Sequence, residues 1–176
     1  DRPEILVHVY LPKGSAFSKT DATVQQLEAL LKEQSGVRSL AAYIGGGAPR
    51  FFISLNPEQP DSAFAELVVV AENIDAREQL IHFLEQQIAE GAFPQARVNV
   101  KRILYGPPVK WPVSFRILGP DMNELRRLGH EVRQVMEQHP GTRDVHLDWD
   151  ERTAVMYLNM DPQALQLMGL TPRDVA

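Results

Sequence analysis

Five histidines, five methionines and a run of three glycines are the residues of this chain whose types could do chemistry. The histidines, His8, His82, His130, His139 and His146, are dispersed. No pair has the one-turn helical spacing, or the flanking carboxylates, that a zinc site needs, so no metal is expected. Met122, Met136, Met156, Met160 and Met168 all fall in the second half, where they read as core positions rather than soft-metal ligands. His146, Asp148 and Asp150 alternate along a strand-like run, and with Ser15 or Ser18 they hold the side-chain types of a hydrolase. Nothing raises a serine, because there is no G-x-S-x-G elbow, and alternating polar residues on a strand ordinarily form its wet face. Gly45-Gly46-Gly47 matches neither a helix-opening G-x-G-x-x-G nor a phosphate loop with its Lys and Ser/Thr. With no cysteine there is no disulfide and no thiol nucleophile. No catalytic residue and no cofactor is therefore expected.

The elements that must position these residues follow from periodicity. Ile5 to Leu11 is a β-rich run closed by Pro12-Lys13-Gly14-Ser15. Thr20 or Asp21 can cap a helix carrying Val24, Leu27, Leu30 and Leu31, which Ser35-Gly36 ends. Val37 to Ile44 and Phe51 to Leu55 read as two strands of a hairpin, with Gly45 to Arg50 as its mobile tip. Leu67 to Ala71 is a further strand, Asp75 can cap a helix with Leu80, Ile81, Leu84 and Ile88, and Arg97 to Leu104 alternates with period two. A stiff segment, Tyr105 to Pro112, follows. The order then restarts: a strand from Val113 to Leu118, a helix with Leu125, Leu128, Val132 and Val135, and strands over 145–149 and 154–160. Gly36 and Gly141, Arg38 and Arg143, and Asn56-Pro57 and Asp161-Pro162 repeat at one constant offset, which predicts a duplicated unit.

The expected fold is α+β, two consecutive ferredoxin-like split β-α-β modules, the second incomplete. Residues 1–105 are the first module, 106–112 a Pro-rich linker and 113–176 the first half of the second. Missing its last strand, that second unit should leave Val113 to Leu118 as an open edge. At 176 residues and 44% hydrophobic, the chain can bury a real core. Its 18 basic residues are scattered and its net charge is −5, which speaks against nucleic acid. No apolar run approaches the roughly 18 residues of a membrane helix. Asp1-Arg2-Pro3-Glu4 has neither a signal peptide's charged start nor its apolar stretch, so the chain reads as an excised or mature segment.

Leu11-Pro12-Lys13-Gly14, Tyr43-Ile44-Gly45, Pro49-Arg50-Phe51, Gly106-Pro107-Pro108-Val109, Pro112-Val113, Gly119-Pro120-Asp121, Pro140-Gly141 and Asp174-Val175-Ala176 occur in an order and spacing specific as a set. Together they resemble the second large periplasmic loop of resistance–nodulation–division (RND) efflux transporters of the acriflavine-resistance type. That resemblance implies a transporter segment and not an enzyme. It further implies a proton-driven homotrimer in the inner membrane, this part facing the periplasm, with a periplasmic adaptor and an outer-membrane channel as partners and a small molecule as substrate. The resemblance also explains an incomplete second module, which the family interrupts with a docking insertion. It gives Gly45, Gly46, Gly47, Ala48, Pro49 and Arg50 the role of a gating loop, short of the phenylalanine that drug exporters often carry there. Phe52, Asn99, Lys101 and Ile103, with His146 opposite, take the place of substrate-binding residues in the cleft between modules. The alternative, on fold alone, is a two-module regulatory domain that binds a small ligand.

Overall fold

The computed structural model describes residues 2–53, 55–103, 111–149 and 157–175. Runs rich in β-branched residues form β1 (Glu4–Tyr10), β2 (Val37–Ile44), β3 (Phe64–Ala71) and β4 (Arg97–Arg102). They pair antiparallel in one four-stranded sheet of order β2-β3-β1-β4. Two helices, α1 (Phe17–Lys32) and α2 (Ile74–Ala89), connect β1 to β2 and β3 to β4. This is the split β-α-β order of a ferredoxin-like module.

Side chains alternate across a strand, so each strand offers one set of residues to the helices and the other set to the opposite face. Ile5, Val7 and Val9 of β1, Ala65, Leu67 and Val69 of β3, and Val98 of β4 meet Val24, Leu27 and Leu31 of α1 and Leu80, Ile81 and Leu84 of α2. That apolar layer is the core. Leu67 is fully buried on a strand with neighbours on both sides. Leu67→Ala is expected to cost about 2–5 kcal/mol, because the surrounding side chains collapse only partly into the space. A fall in the denaturant midpoint at constant slope would register it.

Several boundaries differ from expectation, each for a local reason. α1 opens at Phe17, and Thr20 lies inside it, its hydroxyl donating to the Ser62 carbonyl at 2.6 Å. The cap of α2 is Asn73, whose side chain accepts from Ala76 N at 2.8 Å, while Asp75 sits in the first turn. Phe51 to Leu55 is not a strand of the sheet: Leu55 N donates back to Phe52 O in a turn, and Arg50 donates to the Ile53 carbonyl. Instead β2 pairs with β3, from Val37↔Ala71 to Ile44↔Ala65, with an irregularity between Val37 and Ser39.

After β4 come α3 (Met122–Glu137), capped by Asp121, then α4 (Pro162–Met168), capped by Asp161, and the short α5 (Pro172–Val175). Residues 113–118 and 145–149, expected as strands, carry no ladder among the described residues. Most of the expected linker, with Asp150 and Met156, lies outside the described residues. Met122 and Met168 are exposed, not core as expected. No described helix is long and apolar enough to cross a membrane.

Candidate functional site

The face of the sheet turned away from the helices is unusually polar. The register places Tyr43, Glu66, His8 and Asn99 side by side across all four strands, with Phe64, Tyr10 and Arg97 in the next row. His8 and Glu66 are both buried. Glu66 Oε1 lies 3.3 Å from His8 Nε2, and His8 Nδ1 is 3.2 Å from the Tyr10 hydroxyl. Phe64 packs against both His8 and Tyr10 with ring centroids 5.6 and 5.1 Å apart, and the Arg97 guanidinium stacks 4.2 Å above Tyr10.

Burial pushes the Tyr10 hydroxyl up to about 12, with nearby Glu58 adding to the rise and Arg97 opposing it. Its unfolded value is near 10, so the buried neutral phenol stabilises the fold fully below about pH 10. That contribution is lost as pH climbs through 12. Ultraviolet titration should show a late tyrosine ionisation near pH 12, and Tyr10→Phe should remove that step.

Residues 111–149 bring a second set of side chains to the same edge. Arg97 Nη1 lies 3.1 Å from Asp144 Oδ2, and Asn99 Nδ2 donates to the same oxygen at 2.8 Å. The Asp144 carbonyl is 2.7 Å from His146 Nδ1. The His146 ring meets Trp111 edge-on with centroids 4.2 Å apart, and Lys101 Nζ stands 4.6 Å from the centre of the Trp111 ring. Asp144 has φ 53, a left-handed conformation that aspartate tolerates better than most residues. Between β4 and this segment is a cavity of about 420 Å³ whose walls include Asn99, Trp111, Asp144 and His146. Its apolar walls include Val113, Phe115, Ile117 and Leu147. Such a mix can hold an amphiphilic small molecule, with the apolar body against the aliphatic wall and a polar group toward β4.

The five expected binding residues therefore fall into two groups. Asn99, Lys101 and His146 gather around Trp111 and Asp144, although the Lys101 ammonium stands over the indole face and does not line the cavity. Phe52 and Ile103 pack with Leu6, Leu55 and Val68 in a separate small cluster, where the Arg2 guanidinium lies 4.9 Å from the Phe52 ring. Asp144 and Trp111 were missed. The only sequence signal for Trp111 was an aromatic amid prolines, and Asp144 became visible only through its backbone conformation and two partners from β4. Of the hydrolase parts among the described residues, His146 Nε2 and Asp148 Oδ1 are 3.9 Å apart, while the Ser15 hydroxyl donates to the Pro12 carbonyl at 2.6 Å. Among the described residues no group of three His, Asp or Glu could hold a metal ion.

The expected mobile tip is anchored. Ala48 N donates to Glu66 Oε2 at 2.6 Å, and Ala48 is fully buried. At the loop's root Gly45 N donates to the Phe64 carbonyl at 2.9 Å, Asp61 N donates to Gly45 O at 3.1 Å, and Gly46 bridges to Ala65. The three glycines do different things. Gly45 has φ 81, which a side chain would strain. A Cβ on Gly47 would fall 2.8 Å from Glu58 N and 2.9 Å from Glu66 Oε2, so there the need is for space. Pro49, Arg50 and Phe51 beyond are exposed.

Comparison with known proteins fits this architecture. The AcrB/AcrD/AcrF family matches residues 1–176. The chain is 22% identical over 181 residues to the multidrug resistance protein MdtC of Proteus mirabilis (strain HI4320), which covers 99% of this chain and 16% of that protein. Two crystal forms of a heavy metal efflux pump superpose on 99% of the chain and 19% of the pump, with TM-scores of 0.68 and 0.67 at 16% and 18% identity. At that identity the likeness shows the fold. The chain thus spans less than a fifth of the length of MdtC and of this pump.

Proposed function

Because this chain belongs to the AcrB/AcrD/AcrF family of RND efflux transporters, we propose that it forms part of the substrate entrance cleft in the periplasmic porter region of such a pump. The observation that carries this is the cavity beside β4, where residues from both sides of the segment 104–110 meet around Asp144 and Trp111. Asn99 and His146 line it, Lys101 backs its Trp111 wall, and Phe52 with Ile103 extends the same sheet face. The loop 45–50 gates passage along that face.

The whole permease is, on this reading, a proton-driven homotrimer of the inner membrane, working with a periplasmic adaptor and an outer-membrane channel. This segment binds and passes solute, and it performs no catalysis. The proton-coupling charges lie elsewhere in the pump.

In the full-length permease, a single cysteine at position 99 or 146, made bulky with a maleimide, should abolish most export. The same label at Gln25, on the exposed side of α1, should leave export at its unlabelled level. Undiminished export with position 99 or 146 fully labelled would overturn the cleft assignment.

A further inference from the structure

Glu66 is 2% exposed, and both its carboxylate oxygens are engaged, one by His8 and the other by a loop amide. Nothing about sheet formation asks for it. Its neighbours on the same face of β3, Phe64 and Val68, are apolar, and a buried carboxylate is costly unless its oxygens are satisfied. The groups that satisfy it are unequal. The contact to His8 Nε2 is 3.3 Å and that to Ala48 N is 2.6 Å, so the shorter bond goes to the loop. Gly47 is the other half of the arrangement: a Cβ there would fall 2.9 Å from the carboxylate and 2.8 Å from Glu58 N, so its absence leaves room for both beside Ala48 N.

We propose that Glu66 is the positioning residue of the 45–50 loop, and that the loop leaves the sheet only by giving up the bond from Ala48 N to Glu66. Gly45 fixes where the loop departs from β2, and Glu66 fixes where it comes to rest. His8, held by Tyr10 on its far nitrogen, keeps the carboxylate aimed at the loop. The exposed part, Pro49 to Phe51, is then free to touch solute while its base stays fixed. This deepens the gating reading given above and rests on it for its consequence in transport.

The test is amide hydrogen exchange of the 45–50 segment in the full-length permease, with efflux measured on the same variants. Glu66→Gln keeps a side-chain oxygen that accepts from Ala48 N, and it should exchange at the wild-type rate. Glu66→Leu fills the space without an acceptor, and exchange should quicken about tenfold, the worth of one such bond. If Glu66→Leu fails to accumulate, Glu66→Met carries the same test, because it too fills the space without an oxygen to accept from Ala48 N. Wild-type exchange in whichever of Glu66→Leu and Glu66→Met accumulates would overturn the proposal, and so would Glu66→Gln exchanging as fast as that variant. Faster exchange with altered efflux supports both anchor and gate. Faster exchange with unaltered efflux upholds the anchor and removes the gate.

Discussion

Gly36→Ala should destabilise the protein by about 2–5 kcal/mol, although it adds a single methyl group. Two costs combine there. Gly36 has φ 91, where a side chain is strained, and a Cβ at that position would lie 2.9 Å from the Cβ of Ala76 in the first turn of α2. Ala76 cannot swing aside, because its Cβ is fixed to the helix backbone and its N–H is held by the Asn73 cap. Nor can the chain around Gly36 relax freely, since its carbonyl accepts from Glu72 N at 2.9 Å. A double-mutant cycle separates the two costs. Adding Ala76→Gly should restore the steric share, leaving about 1–2 kcal/mol for the backbone. Equilibrium denaturation that found Gly36→Ala within about 0.5 kcal/mol of wild type would show that this junction yields.

The same position shows what the sequence could and could not convey. Gly36 and Gly141 stand at equivalent places in the repeat, each after a helix of sixteen residues. Yet Gly141 has no left-handed backbone, and a Cβ there would meet only the His139 ring. Periodicity located α1, α2 and α3 because each carries apolar residues at helical spacing, and it located β4 because it alternates, while β1 was legible as a β-rich run closed by Pro12. It misassigned Phe51 to Leu55, which has strand composition but lies on a turn closed by Leu55 N and Phe52 O. Composition reports how well a residue suits a strand. Whether the strand forms depends on what its backbone bonds to, and here Leu55 N and the Ile53 carbonyl are taken by Phe52 O and Arg50.

The candidate site was legible in its charges but not in its contacts. Asn99 and Lys101 could be placed on one face by parity alone. That Lys101 would rest on an indole, or that Glu66 would hold the glycine loop, depends on partners far away in sequence, for which one sequence carries no signal. The glycines were misread for a related reason. Three glycines in a row carry high backbone freedom, but here one supplies a left-handed turn, one a bridge to Ala65 and one room for a carboxylate, so together they fix the loop.

The second large effect concerns the charge of the cleft. Around the cavity Arg143 is paired with Glu85 at 2.7 Å, Arg97 with Asp144 at 3.1 Å and Arg133 with Glu137 at 3.5 Å, Asp148 lies 3.9 Å from His146, and Lys101 stands behind Trp111. Asp144→Asn removes one negative charge, keeps a side-chain oxygen for Asn99, and retains a residue that tolerates φ 53. Arg97, stacked over the Tyr10 and Trp111 rings beside the groove, then loses its anion. Charges in a partly desolvated groove interact more strongly than in open water, so export of acidic compounds should rise relative to that of cationic dyes by about tenfold. Lys101→Glu should move the ratio the other way by a similar factor, since it replaces the cation behind Trp111 with an anion. His146→Ala, which removes a polar ring from the same wall, should weaken export of acidic compounds more than that of cationic dyes. Both ratios are read in the full-length permease at equal expression, with one acidic and one cationic solute present together. If Asp144→Asn and Lys101→Glu shift the ratio in the same direction, or leave it where it stands, then solute does not pass between β4 and Asp144, and the entrance must be sought on another face.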